Sequence, residues 1–289
     1  MVGRVLIYGA IGLSAFAYMV WPVSEPVRDV SPISGFGLIA HAGGGLPGAT
    51  YSNSREAFEQ SASQGFDLIE VDFETTESGE LVLLHGWEDS YYRYFSSLPR
   101  LPKPLRGPWR ERSGSAFEFT STPMRGDLTP MSLGDLLLWL ETHPGIRIVT
   151  DAKGDNALVL ARLAERAGPE MQNRFIPQIY APRELPTVKA LGYTDIIFTA
   201  YKSELPVRSL LTFAEAEELF ALTVPWQRVM EVPEGALESP VPVLAHTVND
   251  VRLAEALSAR GVDGLYTDFL VDDEAAFVRA NSPDTAASR

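Results

Sequence analysis

The sequence predicts an α/β fold, a (βα)8 barrel of the TIM type, preceded by an apolar segment. Three observations carry this. From residue 37 onward strand-like and helix-like runs alternate, the pattern of parallel βα units. The 289-residue chain leaves about 255 residues from Gly35 to its end, the usual size of such a barrel. Its chemistry-bearing side chains fall at the ends of at least four strand-like runs, as barrel sites do. An open doubly wound sheet is the alternative.

Residues 5–23 form a charge-free, mostly apolar run preceded by Arg4, long enough to cross a bilayer as a helix. Residues 1–23 read as a transmembrane anchor or as a signal peptide, with Ala15-Phe16-Ala17 as a small-x-small cleavage site. Either places the domain outside the cytoplasm: on the cell membrane facing the periplasm or exterior, or secreted. An apolar helix capping the barrel bottom is a third reading. Residues 24–36, with Pro26 and Pro32, read as a linker.

The barrel is expected over 37–280. Strand candidates are 37–41, 68–73, 81–85, 147–151, 175–180, 195–200, 219–224, 241–247 and 264–267. That is one too many for eight places, so one of 195–200 and 219–224 is expected to be irregular. Helices are expected at 54–64, stopped by Gly65, at 132–141, capped by Ser132, and at 156–167 and 250–259. Residues 281–289 read as a flexible tail.

Residues 86–130 form an insertion after the third strand, far longer than an ordinary barrel loop. It carries Trp87, Tyr91, Tyr92, Tyr94, Phe95, Trp109, Phe117 and Phe119, and six basic residues against one acidic between Ser90 and Arg112. It reads as a lid for an anionic or amphiphilic substrate, or as a small subdomain with its own aromatic core. The net charge of −14 argues against nucleic acid as a partner. The absence of cysteine excludes disulfides and thiolate metal sites.

Side chains at i and i+2 of a strand share a face. Glu70 and Asp72 therefore point one way, with Ile69, Val71 and Phe73 on the other. Buried carboxylates cost several kcal/mol unless paired or bound to a cation. One divalent metal, Mg²⁺ or Ca²⁺, fits oxygen ligation by Glu70, Asp72 and Asp151. A salt bridge to a buried Lys or Arg is the alternative, and Lys153 can serve. Lys153 shares the face of Asp151 and offers a point charge to a phosphate oxygen.

His41 and His85 end two of the strand-like runs. Phosphodiester cleavage needs one group to deprotonate the nucleophile and one to protonate the leaving alkoxide, and histidine does both near neutral pH. Gly43, Gly44 and Gly45 let the backbone approach an anion, or form a flexible turn. Asn53 turns its amide toward the site or caps the following helix. His246 lines the pocket or is structural. Tyr266-Thr267-Asp268 reads as barrel packing.

In order, these pieces resemble the glycerophosphodiester phosphodiesterase family of the phospholipase C-like phosphodiesterase barrels. The resemblance rests on His41, Asn53 within Tyr51-Ser52-Asn53-Ser54, Glu70-x-Asp72, His85, Asp151-x-Lys153, His246-Thr247-Val248-Asn249, and Gly261-Val262-Asp263-Gly264 through Thr267-Asp268. It covers nearly everything after residue 36 except the insertion. It implies a phosphoric diester hydrolase acting on glycerophosphodiesters or phospholipid headgroups. In it Glu70, Asp72 and Asp151 hold the metal, His41 and His85 are the acid/base pair, and Lys153 stabilises the phosphate. The family's arginine after the first histidine is Ala42 here, its third-strand His-Asp is His85-Gly86, and its late Trp is His246. Arg93 of the insertion is a candidate to replace the arginine. His85-Gly86 and Asp151-x-Lys153 also resemble the sphingomyelinase D branch, which implies a phospholipase D-type lipase as the alternative. A non-catalytic envelope binding barrel is the other.

Overall fold

The computed structural model describes residues 31–95 and 112–272. The expected anchor at 1–23, the tail at 281–289 and the middle of the insertion lie outside these residues. Among the described residues no helix is long and apolar enough to cross a membrane.

Eight parallel strands close a barrel: β2 (Gly37–Ala40), β3 (Leu68–Thr75), β5 (Arg147–Ala152), β6 (Phe175–Ile179), β7 (Ile197–Thr199), β8 (Ala221–Pro225), β9 (Val243–His246) and β10 (Gly264–Thr267). Closure comes from β2, which pairs in parallel with both β10 and β3. Before and after the barrel, β1 (Ser31–Ile33) pairs with β11 (Leu270–Asp272). The end of the expected linker is thus a strand.

The surplus strand is not where the sequence reading placed it. Both 195–200 and 219–224 contain regular barrel strands, β7 and β8. The extra one is β4 (Leu81–Leu83), antiparallel to β3 through Phe73↔Leu83 and Thr75↔Leu81. The reason is chain length: a parallel crossover needs a dozen or more residues, and few separate Phe73 from Leu81. A tight turn closes instead, with Gly79 at φ +86° and Thr76 N–H on the Glu80 carbonyl at 2.9 Å. The long insertion therefore follows this hairpin, not a third barrel strand. The hairpin also explains how His85 reaches the mouth. β3 overshoots the barrel, and β4 folds back so that the Leu84 N–H meets the Asp72 carbonyl at 3.0 Å.

Helices α1 (Arg55–Ser63), α4 (Leu133–Glu141), α5 (Asn156–Gln172), α6 (Leu185–Ala190), α7 (Val207–Ala216), α8 (Trp226–Met230) and α9 (Val251–Ser258) complete the βα units, while α2 (Asp89–Tyr94) and α3 (Ala116–Ser121) belong to the insertion. Ser54 caps α1 through the Ala57 N–H, and Ser132 forms a capping box with Asp135, the local chemistry that starts a helix. Ile69, Val71 and Phe73 join Phe58, Leu136 and Trp139 in the layer between strands and helices. Ile39, Val149, Ile176, Ile197, Ala221, Leu244 and Tyr266 fill the barrel axis below the mouth. Val82, Leu84, Trp87 and Phe119, with Tyr91 and Phe95, form a separate cluster, so the described part of the insertion has its own small core.

Candidate active site

Strand register builds the acidic half of the mouth. Asp72 of β3 lies level with Asp151 of β5, and Glu70 sits two residues below Asp72 on the same face. Their exposures are 3, 1 and 8% for Glu70, Asp72 and Asp151. Each offers an oxygen within 4.8 Å of the others. Lys153 Nζ lies 2.8 Å from Asp72 Oδ1 and 2.6 Å from Asp151 Oδ2. The metal reading and the lysine-pairing reading thus meet in one cluster.

Each carboxylate is held by a further donor. The Ala42 N–H donates to Glu70 Oε2 at 2.7 Å. Asn53 turns toward the site: its Nδ2 donates to Asp72 Oδ2 at 2.8 Å, and its Oδ1 accepts the Asp72 N–H at 3.1 Å. Ser54 is left to cap the helix. The Tyr180 hydroxyl, just past β6, donates to Asp151 Oδ1.

Charge shows what the cluster lacks. Burial acts against the ionised form of Glu70 and Asp72. For Asp72 the Lys153 ammonium and His85 outweigh burial and hold it below the usual carboxylate range. For Glu70, burial and the neighbouring Asp72 push it up to about 8, against the pull of His41. Burial alone would depress Lys153, but Asp72, Asp151 and Glu70 hold it well above its ordinary value. One ammonium among three convergent carboxylates leaves negative charge in surplus, and Glu70 answers by taking a proton. A divalent cation on oxygen ligands fits that deficit.

The two histidines sit in opposite environments. His41 Nδ1 lies 2.9 Å from Asp268 Oδ1. Asn249 fixes Asp268 in turn, donating Nδ2 to its Oδ2 at 2.7 Å and accepting its N–H at 2.7 Å. Burial works against a charged His41, but the Asp268 hydrogen bond and charge outweigh it and raise the imidazole to about 9. For His85 burial wins over the attraction of Asp72, and its value falls below the ordinary one. Tyr51 lies edge-on to both rings, with centroids 4.4 Å from His41 and 4.8 Å from His85.

The glycine run packs tightly, and two of its N–H groups are engaged within the protein. The Gly44 N–H is used by the His41 carbonyl at 2.8 Å and the Gly45 N–H by the Asp268 carbonyl at 3.0 Å. A Cβ on Gly44 would stand 2.1 Å from Ser61 Oγ, and one on Gly43 3.1 Å from the Phe58 ring. The glycines let the first loop pass close under α1. Arg93 donates to the Thr50 carbonyl at 3.2 Å, beside Tyr51.

His246, at the end of β9, lies between Tyr201 at 5.8 Å and Tyr266 at 6.1 Å. Its Nε2 is buried without a hydrogen-bond partner among the described residues. Burial, with the charge on His41, lowers it to about 4 and keeps it neutral. Tyr51, Tyr180, Tyr201 and the role of Asp268 were not read from the sequence. For Tyr180 and Asp268 a signal was present: Tyr180 ends a strand candidate, as His41, His85 and Asp151 do, and Asp268 directly follows one.

Residues 42–98 match the sequence model of the Glycerophosphoryl diester phosphodiesterase family. The match begins one residue after His41 and takes in Asn53, Glu70, Asp72 and His85. The likeness to that family is shown over this stretch of the chain. No curated protein matches. Among solved structures, a glycerophosphodiester phosphodiesterase from Parabacteroides distasonis is 15% identical with a TM-score of 0.60, covering 88% of this chain and 100% of its own. One from Agrobacterium tumefaciens is 14% identical with a TM-score of 0.54, covering 81% and 96%. A phosphodiesterase from Oleispira antarctica, in complex with the product sn-glycerol-3-phosphate, is 17% identical with a TM-score of 0.57, covering 83% and 94%. At these identities the likeness is one of fold.

Proposed function

We propose that this chain is a metal-dependent phosphodiester hydrolase acting on glycerophosphodiesters or phospholipid headgroups by acid–base catalysis between two histidines. The observation that carries the reading is a convergent carboxylate cluster flanked by two histidines in unlike environments, His41 bonded to Asp268 and His85 not, which push their titrations in opposite directions. Environments that push two titratable groups apart are what acid and base roles require.

Glu70, Asp72 and Asp151 would hold one Mg²⁺ or Ca²⁺, whose charge would offset that developing on phosphorus. Lys153 adds a fixed positive charge beside the same carboxylates. His85, neutral, is set to accept the proton of the attacking water or substrate hydroxyl. His41, protonated against Asp268, is set to give a proton to the leaving alkoxide. The Asp268 contact fixes Nδ1 as the inward partner and leaves Nε2 for the substrate. A new P–O bond forms, the P–O bond to the alcohol breaks, and the two histidines exchange charge states. By extension from the Oleispira relative, sn-glycerol 3-phosphate and a free alcohol are the products. The apolar run at 5–23 supports an enzyme anchored to the membrane or exported, working outside the cytoplasm.

The test is a hydrolysis screen across glycerophosphodiesters and lysophospholipids with and without Mg²⁺ or Ca²⁺, products identified. The expected result is metal-dependent release of glycerol 3-phosphate that His85→Ala lowers by at least about 10²-fold. Release of a phosphorylated headgroup, or of a cyclic phosphate, would move the chain to a different lipase chemistry. No turnover of any phosphodiester would sink the catalytic reading.

A further inference from the structure

Near the carboxylates, two strands on from β5, stands a second lysine that the reaction above does not use. Lys202 lies in a short turn, Ala200–Lys202, directly after β7. Its ammonium rests 4.0 Å from the centroid of the Tyr180 ring and 5.4 Å from that of Tyr201. The side chain is exposed, and among the described residues it makes no hydrogen bond or ion pair. Tyr180 is the residue whose hydroxyl holds Asp151. One phenol ring therefore separates this ammonium from the carboxylate cluster.

The turn is fastened from below. Arg228 of α8 donates to the Ala200 carbonyl at 3.0 Å, to the Ser203 carbonyl at 2.7 Å and to the Leu205 carbonyl. A guanidinium spanning three carbonyls holds Tyr201 and Lys202 where they are. The Tyr180 and Tyr201 rings lie 5.3 Å apart and tilted by 56°. Two tilted aromatic faces around a cation make the kind of seat that recognises alkylammonium groups. Here the protein's own lysine fills that seat.

We propose that Lys202 on Tyr180 and Tyr201 sets the substrate preference of the site: it favours an anionic group on the alcohol side of the phosphodiester and excludes a quaternary ammonium. The inference rests on the hydrolase reading above. A choline-like group would have to displace Lys202 from the aromatic faces and would meet its charge. A phosphate or carboxylate on the alcohol would instead gain an unpaired ammonium. Lys153 is a poor candidate for that role, because Asp72 and Asp151 already share its charge.

The experiment uses the full chain with added divalent metal and three substrates that share the glycerophosphate half. Their alcohols are glycerol, glycerol phosphate and choline. Wild type is expected to prefer glycerol phosphate over choline. Lys202→Met should cut the ratio of kcat/KM for the two by about 5- to 10-fold, mainly through KM, and Lys202→Glu should cut it further. The wild-type preference should shrink as salt rises, as expected for a rim charge. A ratio unchanged in both variants, or an equal fall in kcat on all three substrates, overturns the proposal. If wild type cleaves none of them, the hydrolase reading fails separately. Equilibrium binding of the same three compounds to wild type and Lys202→Met then judges the preference by the same ratio.

Discussion

The two halves of the barrel mouth are built from different chemistry. Strands β2, β3 and β5 deliver His41, Glu70, Asp72, Asp151 and Lys153, whose polar atoms are engaged at close range. Strands β6, β7 and β9 deliver Tyr180, Tyr201 and His246, mostly rings in edge or tilted contact. The first half concentrates charge. The second sets the buried Tyr180 ring beside it, and charges interact more strongly where the surroundings polarise less. Two hydrogen bonds tie the first half to the rest of the mouth, His41 with Asp268 after the last strand and Tyr180 to Asp151 from the second half. Candidate site residues on one side are thus positioned by residues that the other side, or the last strand, supplies. These two joints are where the division can be tested.

The first joint should have the larger effect. Asp268→Asn removes the partner that keeps His41 charged. If His41 is the proton donor, kcat/KM should fall by about 10²-fold or more, and the alkaline limb of its pH profile should move to lower pH. Stability gives an independent check. The His41 value is raised in the fold to about 9 from an unfolded 6.5, so its contribution is fully present below 6.5 and is lost as pH rises through 9. Wild type should therefore exceed the variant in stability below pH 6.5, with the gap closing toward alkaline pH. A constant gap would show that Asp268 only packs the loop.

The second joint acts through Asp151. Tyr180→Phe keeps the ring under Lys202 but deletes the hydroxyl that orients the carboxylate. Groups that orient metal ligands are commonly worth 10- to 100-fold in affinity. The expected result is about tenfold weaker Mg²⁺ or Ca²⁺ binding by calorimetry, with the helix and strand content unchanged by circular dichroism. Unaltered metal affinity would separate the aromatic half from the metal site altogether.

Much of this division was legible before any coordinates. Alternation of strand and helix, and the i, i+2 spacing of Glu70 with Asp72 and of Asp151 with Lys153, place the acidic half correctly because strand parity is a local property. The hairpin of β4 was misread because its apolar run looks like any buried strand. Only the short gap after Phe73 reveals the reversal, and that is a fact about chain length. What Gly43 and Gly44 approach was not legible, because a glycine states what the backbone can do, not what it approaches, and here it approaches Ser61 and Phe58 of α1. Tyr180, Tyr51 and Asp268 act through partners 29 or more residues away or through ring contacts, and no spacing rule encodes a distance of that kind.

The smallest effect tests the charge balance of the acidic half alone. Without a cation Glu70 titrates at about 8 instead of its ordinary 4.5. A carboxyl raised in the fold is uncharged in both states below 4.5, so it costs nothing there. The cost appears as pH rises and is complete above 8, where the folded state must carry the buried charge. A divalent ion binds the ionised form and offsets that cost, and at pH 5 it must first displace the proton. Saturating Mg²⁺ or Ca²⁺ should therefore raise Tm by about 5 °C at pH 8 and by less than half as much at pH 5. Glu70→Gln should remove the difference between the two pH values. Equal increments at both, or an increment that survives in Glu70→Gln, would place the stabilising ion outside the cluster of Glu70, Asp72 and Asp151.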